Sequence, residues 1–482
     1  MNIIRLPVRL NADPHRVIAR SFVPGGPPRI RSIINRVGAL PDTEVSSMVA
    51  TLVTDYQQRH KDIQGIFRQN YATIIALVGE NPDSSEERRL LLGAYFTNEY
   101  SLESVALFNP SMVLHPDQNG VPRGLARFIM SLRACGEGHI SSIEFRTGTI
   151  DAEHHVTINP PTRFALTARP VDDALYDKQS YLLKLVEMKA YNPFAEPILA
   201  LLDSHFTMSD LKYAIERCRP QESVTQFKEL ADNMLWLAHS NYELEFPPDA
   251  ALSERVIFPV SENESRGIED ARFVRFTYPD ERVAYFATYT AYNGFRVLPQ
   301  LIETTDFRHF KMNTLNGRCV HNKGMALFPR KVGDHFMMAS RLDGENIYLL
   351  RSDNIHFWND SKLVHGPKYP WEIVQVGNCG SPIETEEGWI LLTHGVGPVR
   401  QYWIGALLLD LEDPSQVIGE LSEPLLVPNA DERDGYVPNV IYTCGALRHG
   451  DHLIVPYAVS DSHTSIATVS IPELLAQLRR NV

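Results

Sequence analysis

Cysteine is scarce and scattered. The 482-residue chain has five, Cys135, Cys218, Cys319, Cys379 and Cys444, with no CxxC pair. That spacing excludes a disulfide framework and a cysteine-based zinc site, and it suits a reducing, cytoplasmic setting. Positive charge is in deficit: 46 Lys and Arg face 59 Asp and Glu, for a net charge of −13. A nucleic-acid or anionic-membrane partner is therefore not expected. An anionic small substrate is still allowed, because distant charges are screened beyond about 8 Å at physiological salt. Long apolar runs are missing too. Nothing approaches the ~18 residues of a membrane span, and residues 1–25 have no signal-peptide apolar segment. No His/Asp/Glu set has metal-ligand spacing, so neither a metal nor another cofactor is expected. The remainder is an ordinary globular composition, 44% hydrophobic and 22% charged. The length suggests roughly three domains of about 150 residues, or fewer if one is a large all-β unit.

The first 103 residues read as mostly helical. Asp42 and Thr43 stand before Val45, Met48, Val49, Leu52 and Val53 at helical spacing, and Ser84 with Glu87 resembles a capping box. Gly79 and Pro82 punctuate the block, which carries no evident chemistry. From about 104 the texture becomes short apolar runs, at 105–113, 127–133 and 140–145. A second helical block intervenes at about 172–248, ended by Pro247-Pro248. From 250 onward strand follows strand, apart from a terminal helix near 471–478.

The strand-rich part repeats itself. Apolar openings at Phe128, Phe286, Phe336, Ile390 and Leu453 head units of about 50 residues with several strands each. This pattern predicts a mainly β chain: a five-bladed β-propeller over 104–482, with an N-terminal helical region at 1–103 and a helical insertion at 172–248. Two stacked sandwiches fit the period less well.

A propeller gathers loops from every blade at one end of its channel, so distant polar residues can meet there. The candidates are Asn109 and Arg133 in the first unit and Asp270 and Arg272 in the second. Asn322, Lys323 and Arg341 belong to the third, His394 to the fourth and Asp461 to the last. In the stretch 265–276 two adjacent carboxylates lie between Arg266 and Arg272, at the mouth of a strand. An arginine fork there would aim a carboxylate and lower its pKa. Each residue also has a plain structural reading. The carboxylates suit a surface turn, Arg341 can pair with Asp343 or Glu345, His394 can be a core histidine, Lys323 can be solvated, and Asp461 can cap a turn with Ser460 and Ser462. Together they place carboxylates and several cations at equivalent ends of different units.

From about 104 the chain resembles glycoside hydrolase family 130, the β-mannoside phosphorylases. The resembling stretches include FNPSMV (108–113), GIEDARF (267–273), HNKGMALFPRKVGDHF (321–336), SRLDGENIYL (340–349), GSPIETEEGWILLTHGV (380–396) and GYVPNVIYTCGAL (435–447). The resemblance implies a five-bladed propeller and an inverting reaction of β-mannosides with inorganic phosphate as co-substrate. It implies Asp270 as the general acid, protonating the glycosidic oxygen through the sugar's 3-hydroxyl. Ala271 stands where the family usually has proline. It further implies Arg341, His394, Lys323 and Asn322 as phosphate ligands and Asp461, with Arg133, Arg272 and Asn109, around the mannosyl unit. The N-terminal region and the insertion are absent from short family members. The chemistry agrees: an inverting hydrolase needs a second carboxylate to activate water, whereas a phosphorylase needs fixed cations to hold an anion in line. A β-mannosidase using water and a non-catalytic sugar-binding propeller are the alternatives, and homo-oligomerisation is left open.

Overall fold

The computed structural model describes residues 3–79, 84–222, 224–295 and 297–479; Pro82 lies outside them. The architecture is mainly β, and five antiparallel units dominate it. The first runs through Ala106–Leu114, Ala126–Cys135, Ser141–Ile150 and Val156–Ile158, and the second through Gly267–Thr277, Val283–Tyr292, Val297–Thr304 and His309–Thr314. The third comprises Ala326–Leu327, Phe336–Ser340, Ile347–Ser352 and Asp360–His365. The fourth is built on Gln375–Asn378, Gly388–Val396, Tyr402–Leu409 and Val417–Glu420, and the fifth on Ile441–Tyr442, Leu447–His449, His452–Val459 and His463–Ser470. All five apolar openings read from the sequence fall in strands of these units, in the second strand of the first four and the third strand of the fifth.

Adjacent units share apolar cores. Ile129 and Phe145 of the first pack with Phe273 and Tyr285 of the second. Phe276 and Phe286 of the second pack with Met338 and Trp358 around the third. Met337 and Leu349 meet Trp389 and Leu407, and Ile390 and Leu408 meet Leu453 and Tyr457. The succession then returns on itself, because Phe128 and Met130 of the first unit pack with Ile454 and Ile466 of the fifth. Burial of this apolar surface, at about 25 cal/mol per Å², is the main force holding unit to unit.

The chain's first strand departs from the helical reading. Ile3–Leu10 pairs antiparallel with His463–Ser470 and adds an edge strand to the fifth unit. A second N-terminal strand, Val17–Ser21, pairs with Thr97–Ser101. Between them lie four helices, Pro27–Gly38, Asp42–Tyr56, Ile63–Val78 and Glu86–Tyr95. Their caps also differ from expectation: Ser85, not Ser84, accepts from the Arg88 amide, and Asp42 lies in the first turn behind Pro41. Arg16 ties this block to the first unit. It enters a buried box with Glu103, Glu144 and Arg146, at 2.6 Å from Glu144 and 3.1 Å from Glu103.

The insertion between the first and second units contains helices Lys178–Glu187, Ala195–Ala200, Met208–Arg217 and Thr225–His239 around their own apolar core. All five cysteines are free. Among the described residues, no helix is long and apolar enough to cross a membrane.

Candidate active site

Two bulged strands create the centre of the site. In Gly267–Thr277 the register with the neighbouring strand shifts between Glu269 and Arg272, and Asp270 sits at φ +55°. In Ala106–Leu114 the register shifts between Phe108 and Ser111, and Asn109 sits at φ +48°. A bulge breaks the alternation of a strand and re-aims a side chain, and Asn and Asp tolerate the left-handed region better than most residues. The two re-aimed side chains meet: Asn109 Nδ2 donates to Asp270 Oδ1 at 2.6 Å. Gly267, at φ +130°, permits the approach of the two units. A Cβ there would lie 2.7 Å from the Ser141 main-chain nitrogen.

The fork on the carboxylates comes from the first unit. Arg133 donates to Asp270 Oδ1 at 3.3 Å and to Glu269 Oε1 at 2.8 Å, with its guanidinium 5.1 Å from the centre of the Phe108 ring. Lys323 pairs with the other oxygen of Glu269. Arg272, expected to supply such a fork, does something else. It is buried and donates to the Cys379 carbonyl at 2.7 Å, to the Asp270 main-chain carbonyl at 2.8 Å and to Tyr442 Oη at 2.6 Å. The bulge removes Asp270's carboxylate from its reach, so Arg272 braces the backbone of the bulge instead. Arg266, the other flanking arginine, lies at the cleft wall.

Electrostatics separate the carboxyls. Burial pushes Asp270 up, but Arg133, Arg272, the Asn109 hydrogen bond and Lys323 outweigh it and hold the group below the ordinary aspartate value. Asp270 is therefore ionised at neutral pH while those cations face it. Asp461, at φ +48°, behaves oppositely. Burial first, then the charge of Asp270, push it up to about 6 against the pull of Arg133 and Arg400. Asp461, Arg133, Glu269, Phe108, Tyr292 and Tyr436 line a cleft of about 860 Å³.

A second cluster sits in the third and fourth units. Arg341 donates to His394 Nε2 at 3.2 Å. His394 is buried against Tyr442, with ring centres 5.0 Å apart, and Tyr402 stacks at 5.9 Å. Burial, then Arg341 and Arg272, hold its imidazole well below the ordinary histidine value, so it is neutral and can accept from Arg341. Gly377 makes room: a Cβ there would lie 2.5 Å from the histidine Cε1 and 3.1 Å from the arginine Cδ. Asn322, at φ +63°, accepts the Lys323 amide at 2.9 Å, which shapes the turn presenting that lysine.

The predicted residues thus form two groups. Asn109, Arg133, Lys323 and Asp461 surround Asp270, and Arg341 lies on His394. The bridge is Arg272 with Tyr442, a residue the sequence reading did not single out although it lies within 435–447. Glu269 was also undervalued there, and its pairing with both Arg133 and Lys323 makes it part of the charge lattice. Among the described residues, Arg133 Nε, Arg341 Nε, Asn109 Oδ1 and Asn378 Oδ1 are buried without a hydrogen-bond partner. Orphaned groups in both clusters leave polar bonding that a ligand can complete. No group with metal-ligand spacing occurs here among the described residues.

A sequence profile described as beta-1,4-mannooligosaccharide phosphorylase matches residues 248–480, from just before the second unit to the terminal helix. The chain is 32% identical over 230 residues to a 1,2-beta-oligomannan phosphorylase of Thermoanaerobacter sp. (strain X514), covering 46% of this chain and 75% of that protein. It is 31% identical over 229 residues to a beta-1,2-mannobiose phosphorylase of Listeria innocua, covering 46% of this chain and 63% of that protein. A solved structure of a Listeria innocua beta-1,2-mannobiose phosphorylase with beta-1,2-mannobiose aligns at 22% identity and a TM-score of 0.47, over 79% of this chain and 93% of that one. Asp270, Lys323, Arg341, His394 and Asp461 fall inside the profile match; Asn109 and Arg133 fall outside it.

Proposed function

Because the chain belongs to glycoside hydrolase family 130, we propose that it is an inverting β-mannoside phosphorylase, converting a β-mannoside and inorganic phosphate to α-mannose 1-phosphate or running in reverse. Five antiparallel units, each sharing a core with the next and the fifth with the first, support a five-bladed β-propeller carrying the site at one end of its channel. The co-substrates are a mannose-containing oligosaccharide and phosphate.

The observation that carries the reading is the Arg341–His394 cluster. A half-buried arginine whose Nε is buried and partnerless, with its guanidinium resting on a neutral imidazole, is a cation held for an anion. Arginine suits phosphate because its planar fork binds two oxygens at once. Both oxygens of Glu269 are already paired, one with Arg133 and the other with Lys323, so this carboxylate is not placed to activate water. Phosphate also addresses the charge of Asp270. Its negative charges, set near the same cations, offset their pull and raise the carboxyl toward the protonated form that a general acid needs.

The test is release of mannose 1-phosphate from β-mannosides with and without phosphate, for wild type and Arg341→Ala. A charge-assisted hydrogen bond is worth about 1.5–3 kcal/mol. The variant should therefore lose roughly tenfold to more than a hundredfold in phosphate affinity or turnover. Free mannose formed equally well in phosphate-free buffer would replace this reading with a β-mannosidase.

A further inference from the structure

We propose that the seam between the first and fifth units carries a transition-metal site of the zinc class, built by His154, Asp451 and His452. Two hairpin tips meet there. His154 lies in the turn after Ser141–Ile150; Asp451 lies in the turn after Leu447–His449, and His452 opens the strand His452–Val459. One ligand atom from each of the three residues lies within 4.8 Å of the other two. His154 Nε2 is 3.4 Å from Asp451 Oδ1, and His452 Nδ1 is 2.7 Å from the same oxygen. A tetrahedral zinc ion with bonds of about 2.0–2.2 Å holds its ligand atoms roughly 3.3 Å apart. The first spacing already fits, and the second needs to open by roughly half an ångström when a cation replaces the shared proton. Two imidazoles and a carboxylate are the donor set such an ion takes, with water in the fourth position.

A simple histidine–aspartate ion pair would need only one ring. Here a second imidazole lies with its centre 4.0 Å from the first, tilted by 30°. The turn is braced for that placement. Asp151 accepts the amides of Glu153 and His155, its carbonyl accepts the amide of His154, and His154 sits at φ +66°. His449 Nε2 lies 3.0 Å from the carbonyls of Gly124 and Asp151, holding the two hairpins together. Asp451 is 67% exposed in its side chain, so an ion reaches the site from solvent. Sequence spacing hid the set, because its members lie almost 300 residues apart. A bound ion would join the first unit to the fifth and stabilise the folded chain by mass action.

The experiment titrates chelator-treated protein with Zn²⁺ by calorimetry and with Co²⁺ by visible absorption, and follows thermal unfolding with added Zn²⁺. The expected result is one equivalent of ion per chain, tetrahedral-type Co²⁺ bands, and a higher unfolding temperature. His154→Asn, which tolerates the left-handed backbone, and His452→Gln should each weaken Zn²⁺ binding at least tenfold and remove the thermal shift. His155→Ala, altering the neighbouring exposed Asp151/Glu153/His155 group, should leave both intact. If a histidine variant fails to fold, Asp451→Asn takes its place. The proposal is overturned if wild type binds no Zn²⁺ tighter than millimolar. It is equally overturned if binding survives His154→Asn and His452→Gln, or is lost in His155→Ala alone.

Discussion

Asp461→Asn should make the protein more stable and less able to hold its sugar. The carboxyl has an ordinary value of 3.8 and is pushed up to about 6 in the folded chain, by burial and by the charge of Asp270. Unfolding returns it to the ordinary value. Between the two values the native state binds more protons than the unfolded state. The contribution of this group to stability is therefore complete below about pH 4 and is lost as pH rises through 6. At about 1.36 kcal/mol per pKa unit, the fully ionised group costs the fold on the order of 3 kcal/mol at pH 8. Asparagine cannot ionise, has nearly the same shape, and accepts the φ of +48°. The assay is urea unfolding of wild type and variant at pH 4 and pH 8, beside the mannoside dependence of phosphorolysis. The variant should match wild type at pH 4 and exceed it by up to about 3 kcal/mol at pH 8, while its mannoside KM rises. A variant no more stable at pH 8, or offset equally at both pH values, would refute the assignment of a buried, repelled carboxylate.

Asp270→Asn should keep the fold and lose turnover by roughly 10²–10⁴-fold, because an amide cannot deliver the proton; Glu269→Gln should be milder. The reverse ranking in steady-state rates would move the acid to Glu269. Arg16→Ala should destabilise the chain by about 3–5 kcal/mol, because it leaves Glu103 and Glu144 sharing one arginine in a buried box. A loss below about 1 kcal/mol in denaturant unfolding would mean that the box is solvated rather than buried.

The units were legible because their signal is local: an aromatic or aliphatic opening and a strand, repeated at a regular interval. Asp270 was legible for the same reason, being fixed within one short motif. The strand Ile3–Leu10 was not. Its residues alternate only between half-buried and exposed, and the partner that makes them a strand lies at the other end of the chain. The role of Arg272 was misread because it flanks the carboxylates in sequence, whereas the bulge between Glu269 and Arg272 re-aims the Asp270 side chain. The fork that aims the carboxylates comes from Arg133, another unit altogether. Sequence proximity to Glu269 and Asp270 favoured Arg272, but topology favoured Arg133.

Backbone conformation binds these observations together. Asn109, Asp270, Asn322, Ser460 and Asp461 all lie at φ between +48° and +63°. Glycine adopts that region freely but offers no side chain for chemistry. A site that needs both the re-aimed backbone and a polar group must accept Asn, Asp or Ser there, at a strain of order 1–3 kcal/mol each in the general case and less for Asn and Asp. Replacing such a residue by alanine removes the chemistry and worsens the strain at once, so the two losses cannot be separated. Exchanging Asp for Asn changes only the proton and the charge. At Asp270 and Asp461 that exchange isolates opposite quantities: the proton that the proposed reaction requires at the first, and the charge that burial opposes at the second.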